Sequence, residues 1–357
     1  MLISIIIGTR PEIIKMAPVI RECEQSGLNY FVLHTGQHYS YNMDKVFFEQ
    51  LGLSEAKYNL DVGSGSHGKQ TGQMLIRIEQ VLQKEKPDLV LVEGDTNTVL
   101  AGALAAVKLG IKVGHVEAGL RSYNRKMPEE INRILVDHSS DYLFAPTEKS
   151  REILLGEGIS KEKVFVTGNT VVDAVFQNLE LSKIKTTILN DLGLTSRNYF
   201  VVTLHRQENV DNIEKFCSIV EGLQAVRKKF KVKIIFPVHP RSKKSLKKFG
   251  LSLNGFNLVE PLDYLSFLQL ENNAQLVITD SGGVQEESCV LGVPCVTLRD
   301  DTERPETVEV GSNLLAGTTP DKILKCSEIM LSKPVDWRNP YGDGNAAKAL
   351  ISKLSEL

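Results

Sequence analysis

The segment that decides the fold is Lys112–Arg133, which reads K-V-G-H-V-E-A-G-L-R-S-Y-N-R-K-M-P-E-E-I-N-R. It begins as a short apolar strand and ends that strand on a carboxylate, Glu117. A basic loop follows, and Pro128 with two acidic residues then forms the pattern that starts an α-helix. Glu117 and Glu129 therefore lie at opposite ends of one loop between a strand and a helix.

The same strand–helix unit repeats along the chain in two series. The first series contains the predicted strands Leu2–Ile7, Asn29–His34, Leu89–Glu93, Lys112–Glu117, Tyr142–Ala145 and Val164–Thr167. The second contains Tyr199–Leu204, Lys233–Val238, Asn257–Val259, Gln275–Thr279 and Pro294–Leu298, with Gly311–Leu314 as a sixth. Strands that are apolar at consecutive positions favour a parallel sheet covered by helices on both faces.

Between the two series the pattern loosens. A helix is predicted over Val171–Leu179, and the uneven polar segment Glu180–Asn198 is predicted to be a linker. We therefore predict an α/β protein of two doubly wound, Rossmann-like domains facing a central cleft. The first domain is predicted to span residues 1–175 and the second residues 190–344, with a final helical segment over residues 345–357.

Composition limits the classes of function. The chain has 357 residues, 42% of them hydrophobic and 24% charged, which is ordinary globular usage and long enough for two domains. The formal net charge of −2 gives no reason to expect nucleic acid or an acidic membrane as a partner. The sequence shows neither the pattern of a secretory signal nor that of a membrane span.

The cysteines and histidines give no metal signature. The five cysteines are odd in number and never spaced C-x-x-C, which favours reduced thiols in a cytoplasmic protein without structural zinc. His34 and His38 are four residues apart, but Thr35-Gly36 between them would break a helix that placed both on one face. We therefore predict no metal site.

Polar side chains follow the predicted strands at the points where they end. In an open parallel sheet, ligands bind beyond the carboxyl ends of the strands. In the first series these positions hold Gly8-Thr9-Arg10-Pro11-Glu12 with Lys15, Thr35-Gly36-Gln37-His38, Gly94-Asp95-Thr96 and Glu117. In the second they hold His205-Arg206-Gln207-Glu208, His239-Pro240-Arg241, Asp280-Ser281-Gly282-Gly283 and Arg299-Asp300. Acids thus gather on one rim of the first domain, and His and Arg on a rim of the second.

The segment Ser281–Glu287, S-G-G-V-Q-E-E, is the clearest single binding signal. Asp280 or Ser281 can cap a helix whose first amides are carried by glycines, and such an end holds a diphosphate without metal. Glu287 lies about one and a half turns further on, where it can reach ribose hydroxyls. The alternative interpretation is a turn of small residues that packing requires.

A second glycine-rich segment, Gly63–Gly68, matches G-x-G-x-x-G. It follows a weak strand (Tyr58–Val62) instead of the first strand, and the acid about twenty residues on, Asp88, stands at the start of the next strand. We interpret the segment as a mobile loop at the cleft and predict no nicotinamide and no other cofactor.

Taken together, these motifs resemble the non-hydrolysing UDP-N-acetylglucosamine 2-epimerases. The ordered matches are G-T-R-P-E-I-I-K, G-D-T, H-V-E-A-G-L-R, P-E-E-I-N-R, T-G-N-T-V-V-D-A, H-R-Q-E-N, P-V-H-P, T-D-S-G-G-V-Q-E-E, R-D-D-T-E-R-P-E and N-P-Y-G-D-G. The resemblance implies a two-domain architecture of the glycosyltransferase B type, a homodimer, and a C-terminal helix over residues 345–357 that packs back on the first domain.

The reaction that the resemblance implies is the inversion of C2 of UDP-N-acetylglucosamine to give UDP-N-acetylmannosamine. If UDP leaves C1, the neighbouring C–H bond weakens, and a carboxylate can take the C2 proton to give a 2-acetamidoglucal. Reprotonation from the opposite face and return of UDP give the epimer. Asp95, Glu117 and Glu129 resemble the essential carboxylates of the family, and His205 resembles the histidine that contacts the diphosphate.

The resemblance also assigns binding residues. The expected cationic contacts to UDP are Arg10, Lys15 and Arg304. Phosphate contacts are expected at Ser281, Gly282 and Gly283, a ribose contact at Glu287, and uracil contacts at Phe267 and the Leu262 backbone. Arg304 could instead pair with Glu306, and Phe267 could be a core residue.

Bacterial members bind a second UDP-N-acetylglucosamine as an activator, near the positions of Gln37, Gln70, Arg206 and His239. This sequence departs from the expected Arg and Gln at Lys69 and Ser40, which argues against activation.

Three other functions share many of these residues. They are a glycosyltransferase of the same architecture, a hydrolysing epimerase that releases UDP and N-acetylmannosamine, and a silent UDP-sugar-binding regulator. The three acids at one rim argue against the first and the third, because neither transfer nor binding alone requires them.

Overall fold

The structure is a computed structural model that describes residues 1–37 and 47–356. It contains two parallel β-sheets, with strand orders β3-β2-β1-β4-β5-β6-β7 and β10-β9-β8-β11-β12-β13. In both, the chain runs outward from a central strand and then returns to its other side, which is the Rossmann order. The predicted fold class, two doubly wound α/β domains, is confirmed.

The strands are as follows. The first sheet contains β1 Leu2–Ile7, β2 Asn29–His34, β3 Tyr58–Asn59, β4 Leu89–Glu93, β5 Lys112–Val116, β6 Tyr142–Ala145 and β7 Val164–Val166. The second contains β8 Tyr199–Thr203, β9 Lys233–Pro237, β10 Asn257–Val259, β11 Leu276–Thr279, β12 Cys295–Thr297 and β13 Asn313–Leu315. The predicted sixth strand of the second series is therefore present, shifted by a few residues.

Helices connect these strands. In the N-terminal part they are Arg10–Gln25, His67–Glu85, Asn97–Lys108, Pro128–Ser139, Glu148–Gly156 and the short 3₁₀ turn Lys161–Lys163. Further helices are Thr170–Lys185, Ile188–Asp191, Gln207–Val210, Ile213–Phe230, Pro240–Phe249, Tyr264–Asn272, Gly282–Val290, Pro305–Glu309, Pro320–Ser332 and Ala346–Glu356. The sequence also predicts a helix over Asn42–Leu51. Residues 47–50 of it are helical, and residues 42–46 lie outside the described residues.

Burial on both faces explains why the strands are continuous apolar runs. Residues 3–7 of β1 are all buried, and Ile5 pairs with Val32 on one side and with Leu91 on the other. Helices then cover both faces of such a strand, so every side chain along it must tolerate an apolar environment.

The chain divides into two compact units, residues 1–176 with 341–357, and residues 177–340. The last helix belongs to the first unit, where it contacts the helix Arg10–Gln25. Asp173 fixes its start by accepting hydrogen bonds from the amides of Ala346 and Ala347, at 3.2 and 3.0 Å.

The predicted linker over Glu180–Asn198 is wrong. The helix Thr170–Lys185 continues through its first part, and Ile188–Asp191 forms another turn of helix. Two contacts explain the helical structure of this polar segment. Gln269 donates a hydrogen bond of 2.9 Å to the buried hydroxyl of Ser182, and Leu189, Leu192 and Leu194 pack against the core of the second unit.

The weak strand predicted over Tyr58–Val62 is reduced to Tyr58–Asn59, and the last two residues of Gly63–Gly68 begin a helix at His67. Among residues 1–37 and 47–356, no helix is both long and apolar enough to cross a membrane. All five cysteines are free thiols.

Candidate active site

Asp95 lies just beyond the carboxyl end of β4, where Gly94 turns the chain with a φ of +84°. Arg133, on the helix Pro128–Ser139, binds the Asp95 carboxylate from two nitrogens, Nε at 2.9 Å and Nη2 at 2.5 Å, both to Oδ2. Asn132 on the same helix donates to the Asp95 carbonyl oxygen at 2.8 Å. The Asp95 side chain is still 25% exposed, so it can meet a ligand while its position is fixed.

Glu117 lies beyond the end of the neighbouring strand, β5, in a left-handed conformation with a φ of +67°. A residue other than glycine adopts this conformation only where the surroundings hold it. Here Glu117 Oε2 binds the ammonium of Lys15 and accepts a hydrogen bond of 3.2 Å from Asn169. Lys15 comes from the helix Arg10–Gln25 and Asn169 from the segment after β7, so distant parts of the first unit fix this carboxylate.

Lys15 also faces a second carboxylate. Its Nζ lies 3.4 Å from Oε1 of Glu93, the last residue of β4. Burial raises the pKa of Glu93 well above its usual range; Lys15 opposes this, whereas Glu117, Glu12 and Asp95 add to it. The predicted UDP contact Lys15 is thus placed between two acids.

Glu12 is a fourth acid on this side of the sheet. It is buried, and its carboxylate accepts hydrogen bonds from the Gly8 amide at 2.6 Å and from the hydroxyls of Thr9 and Thr96 at 3.0 and 2.7 Å. Burial raises the pKa of Glu12 to about 7 despite these bonds, and the charge of Asp95 adds to the rise. Glu12 therefore ties the first turn of the sheet to the loop that carries Asp95.

The two acids that open the helix Pro128–Ser139 have different environments. Glu130 is buried and accepts hydrogen bonds from the amides of Ser122 and Tyr123, at 2.9 and 2.8 Å, and from Arg133 at 2.7 Å. Glu129 is half-exposed, with no hydrogen bond or ion pair to any of residues 1–37 and 47–356. Glu130 thus orders the loop, and Glu129 is left available to a ligand.

A buried ionic cluster supports the loops from behind. His115 Nδ1 lies 2.6 Å from Asp137 Oδ1, and its Nε2 lies 2.8 Å from the carbonyl oxygen of Gly94. Arg121 binds Asp137 at 2.7 Å, and Asp137 also accepts the Gly119 amide at 3.2 Å. Burial alone would raise the pKa of Asp137, but His115 and Arg121 lower it below the usual range.

In the second unit, His205 stands beyond β8 against the buried carboxylate of Asp280. Nδ1 of His205 lies 3.0 Å from Asp280 Oδ1, and the amides of His205 and Arg206 donate to the same carboxylate at 3.1 and 2.9 Å. Burial alone would raise the pKa of Asp280, but these contacts with His205 and Arg206 lower it. Since Asp280 orients Nδ1 and the side chain is 41% exposed, Nε2 is the ring nitrogen available to a ligand.

The prediction that Asp280 or Ser281 caps the helix Gly282–Val290 is wrong. Ser281 is at the N-cap position without a side-chain hydrogen bond to the helix, because the Asp280 side chain turns back to His205. Ser281 thus leaves the first amides of the helix uncapped, and a ligand with negative charge could bind them. A Cβ at Gly282 would meet Glu303 Oε1 at 2.5 Å, whereas a Cβ at Gly283 would meet nothing within 4 Å.

Acids in this unit hold arginines. Glu303 pairs with Arg299 at 2.8 Å and with Arg206 at 3.2 Å, and Glu286 pairs with Arg304 at 2.7 Å. Burial alone would raise the pKa of Glu303, but Arg304, Arg299 and Arg206 lower it far below its usual range. Arg304 thus forms an ion pair with Glu286.

The remaining predicted residues of this unit lie on two helices or just before one. Glu287 is on the helix Gly282–Val290, Phe267 is on the helix Tyr264–Asn272, and Leu262 precedes the latter. Glu287 is buried and interacts with the hydroxyl of Tyr264 and with Glu271. Phe267 and Leu262 are partly buried and pack against one hydrophobic cluster, which favours a core role for the Phe267 ring.

The four residues proposed for an activator fall into two pairs. In the first unit, Gln70 donates to the Gln37 carbonyl oxygen at 3.0 Å, and Gln37 Oε1 accepts from the Thr98 hydroxyl at 2.8 Å, both as buried residues. In the second unit, Arg206 and His239 follow the paired strands β8 and β9. The rings of His239 and His205 lie 5.6 Å apart, and burial with the charge of His205 lowers the pKa of His239. Ser40 and His38 lie outside the described residues.

Arg10 begins the first helix, with its guanidinium carbon 5.6 Å from the centre of the Phe47 ring. Within the described ranges, no group of three or more His, Cys, Asp or Glu side chains is arranged to hold a metal ion.

Sequence reasoning did not identify Arg133, Asn169 and Glu93 as site residues. Arg133 had a local signal, since it lies one helical turn after Glu129 in P-E-E-I-N-R. Asn169 lies in the T-G-N-T motif, but its contact with Glu117 joins positions 52 residues apart.

Known proteins match this chain over nearly all of its length. The family model described as UDP-N-acetylglucosamine 2-epimerase matches residues 21–355. A UDP-N-acetylglucosamine 2-epimerase of Methanococcus maripaludis is 56% identical over 98% of this chain and 97% of its own length. The crystal structure of the Methanocaldococcus jannaschii UDP-GlcNAc 2-epimerase in complex with UDP-GlcNAc and UDP superposes with a TM-score of 0.94, at 56% identity and full coverage of both chains. A Pseudomonas aeruginosa UDP-2,3-diacetamido-2,3-dideoxy-D-glucuronate 2-epimerase is 42% identical over the full length of both chains.

Proposed function

The chain belongs to the UDP-N-acetylglucosamine 2-epimerase family, and from that premise we propose that it interconverts UDP-N-acetylglucosamine and UDP-N-acetylmannosamine. The reaction proceeds by elimination of UDP to a 2-acetamidoglucal and by its re-addition after the C2 proton has been returned to the opposite face.

The observation that carries the proposal is the pair of carboxylates at the ends of adjacent strands. Asp95 follows β4 and is held by Arg133, and Glu117 follows β5 and is held by Lys15. Inversion of a carbon centre by removal and return of a proton needs an acid or base for each face. Two carboxylates that are fixed by separate cations can keep different protonation states, which is what such a pair requires. Glu129 is the third acid available for this chemistry.

Departure of UDP is supported by the second unit. As the C1–O bond breaks, the diphosphate gains negative charge, and fixed donors that meet that charge lower the barrier. His205 Nε2, the open amides at Gly282 and Gly283, and Arg304 are the donors that we assign to the diphosphate. Glu287 is assigned to the ribose hydroxyls, and Arg10 is assigned as a further cationic contact to UDP.

The proposal is tested by incubating the protein with UDP-N-acetylglucosamine in D₂O and following the proton NMR spectrum. We expect deuterium at C2 of both UDP-sugar epimers, with UDP remaining attached. Free UDP and N-acetylmannosamine in equal amounts would instead identify a hydrolysing epimerase. Absence of C2 exchange in an enzyme that binds UDP would overturn the proposal in favour of a transferase or a binding protein.

A second substrate is favoured by one comparison. The Pseudomonas aeruginosa relative is named for a UDP-sugar that carries a carboxylate at C5 and an acetamido group at C3. The same exchange experiment with that sugar decides between the two substrates by their relative kcat/KM. The homodimer and a cytoplasmic location remain predictions, and sedimentation of the purified protein tests the first.

A further inference from the structure

Lys15 is shared by two buried carboxylates. Glu93 ends β4 and Glu117 follows β5, two strands that pair directly in the sheet. The Lys15 ammonium binds Glu117 Oε2 and lies 3.4 Å from Glu93 Oε1. The side chains of Lys15, Glu93 and Glu117 are 10%, 2% and 4% exposed, so water screens none of them well. One ammonium can neutralise only one of the two acids.

Glu93 is the acid that is poorly compensated. Its Oε1 is buried without a hydrogen-bond partner among the described residues. A buried carboxylate ion without hydrogen bonds costs far more free energy than the neutral acid in the same place. Among the residues that the structure describes, the charged groups that act on Glu93 are Lys15, Glu117, Glu12 and Asp95, and Lys15 is the cation of this set. The resting arrangement therefore has a proton on Glu93 and an ionised Glu117 beside Lys15.

We propose that Glu93 is a positioning residue of the reaction, which shares one proton with Glu117 across Lys15 and so sets the proton affinity of Glu117. The inference rests on the proposed function, because it matters only if Glu117 exchanges a proton with C2 of the sugar.

The proton moves without changing the charge of the cluster. Lys15 gives one of its three ammonium protons to Glu117 and takes the proton of Glu93 in its place. The negative charge passes from Glu117 to Glu93, and the ammonium remains protonated beside whichever acid is ionised. Because no net charge enters or leaves the buried cluster, both arrangements are accessible.

This sharing would fit a reversible epimerase. A carboxylate that removes a proton in one direction must deliver it in the other. If the residue at position 93 could not ionise, the Lys15 cation would hold Glu117 in its ionised form and make Glu117 a poor acid. Glu93 supplies the alternative partner that Lys15 needs when Glu117 is protonated.

The experiment is the pH profile of C2 exchange in Glu93→Gln. Glutamine keeps the size of the side chain but can neither ionise nor give up a proton. Without a second carboxyl group that can take the negative charge, Lys15 favours the ionised form of Glu117 at all times, so the limb of the profile that reports Glu117 moves to lower pH, by about one unit or more. Glu85→Gln is the matched control, because it removes the acid of a glutamate–lysine pair (Glu85 with Lys57 at 2.7 Å) elsewhere in the same unit, and its profile should equal that of wild type. If the Glu93→Gln profile has its limbs at the same pH values as the wild-type profile, the proposal is overturned, whatever the absolute rate of the variant.

A second measurement needs neither turnover nor a folded Glu93→Gln variant. Protein labelled with ¹³C at the glutamate carboxyl carbon is titrated by NMR, and the Glu93 resonance is identified by its loss in Glu93→Asp. In Glu117→Gln, Lys15 serves Glu93 alone, and the Glu93 carboxyl should titrate at lower pH than in wild type. An unchanged titration would refute the sharing. Failure of wild-type C2 exchange refutes the proposed function, and this titration would still report on the proton.

Discussion

The carboxyl ends of the two sheets hold the same kinds of groups in opposite proportion. In the first unit, acids outnumber cations: Lys15 is shared by Glu93 and Glu117, and burial raises the pKa of both Glu93 and Glu12. In the second unit, the buried acids Asp280 and Glu303 have lowered pKa values because His205 and several arginines surround them. Under the proposed function, one strand order thus forms a proton-binding edge in one unit and an anion-binding edge in the other.

In the proposed mechanism, the difference lets one topology serve two steps of a reaction. Acids in surplus, poorly compensated in a dry environment, bind and release protons near neutral pH. Acids that are fully ionised act only as supports, and they present His and Arg to a negative ligand. Substitutions at the two edges should therefore fail in different ways.

The largest effect is expected at the proton-binding edge. Asp95→Asn and Glu117→Gln remove an acid–base group without changing the side-chain size. We expect C2 exchange to fall by about 10³-fold or more, with UDP affinity retained. Exchange by NMR and UDP binding by calorimetry check this. A variant with full exchange would remove that residue from the mechanism.

The next effect is expected at the anion-binding edge. Asp280→Asn places an amide donor among donors from His205, Arg206 and Asn209, so the histidine loses its orientation and the buried network is left unpaired. We expect a loss of about 100-fold in kcat and of about 2–3 kcal/mol in stability.

Asp141→Asn is the control for that variant. Asp141 also accepts a backbone amide and pairs with a lysine, at 3.0 Å to Val113 and 2.9 Å to Lys112, but at the surface. We expect Asp141→Asn to lose less than about 1 kcal/mol of stability and to keep an unchanged kcat. Equal losses in the two variants would contradict a special role for Asp280.

The pH dependence of protein stability should also differ between the two edges, because the pKa of Glu12 is raised in the first unit and those of Asp280 and Glu303 are lowered in the second. The pKa of Glu12 is raised from 4.5 to about 7 in the folded protein, so the native state binds more protons than the unfolded state between these values. The stabilisation is complete below the unfolded pKa and is lost as pH rises through about 7, by about 3 kcal/mol. In Glu12→Gln this loss should disappear, which urea unfolding at pH 5 and pH 8 would show as a flatter dependence. An equally steep dependence in the variant would assign it to other groups.

The smallest change in stability is expected for Gly283→Ala. Because a Cβ there meets nothing within 4 Å, alanine should stabilise the helix Gly282–Val290 by about 0.5–1 kcal/mol. If a phosphate approaches the Gly283 amide as proposed, the same methyl group should weaken UDP binding about tenfold or more. Thermal unfolding and calorimetry measure the two effects separately. Unchanged UDP affinity would place the phosphate elsewhere.

The strands could be predicted from the sequence because a strand buried on both faces must be apolar at consecutive positions. The carboxylates and histidines at their ends followed from the same reasoning. The segment Glu180–Asn198 was mispredicted, since a helix held by a few contacts such as Gln269 with Ser182 leaves most of its surface polar.

Contacts across the fold were beyond sequence reasoning. Lys15 and Glu117 are 102 residues apart in the sequence. No local sequence pattern indicates that the Lys15 ammonium, predicted to contact UDP, lies between two acids. The same holds for Asp280, whose position just before Ser281 suggests a helix cap, while its carboxylate receives the amides of His205 and Arg206 from another strand end.

The central claim is that the bond between C1 and UDP breaks while a carboxylate of the first unit exchanges the C2 proton. It is tested most directly by placing ¹⁸O in the bridge between C1 and the β-phosphate of UDP-N-acetylglucosamine and following the ³¹P NMR spectrum during C2 exchange in D₂O. The account predicts that ¹⁸O moves from the bridge into the non-bridging positions of the β-phosphate as deuterium enters C2. Deuterium at C2 with ¹⁸O remaining entirely in the bridge would contradict it.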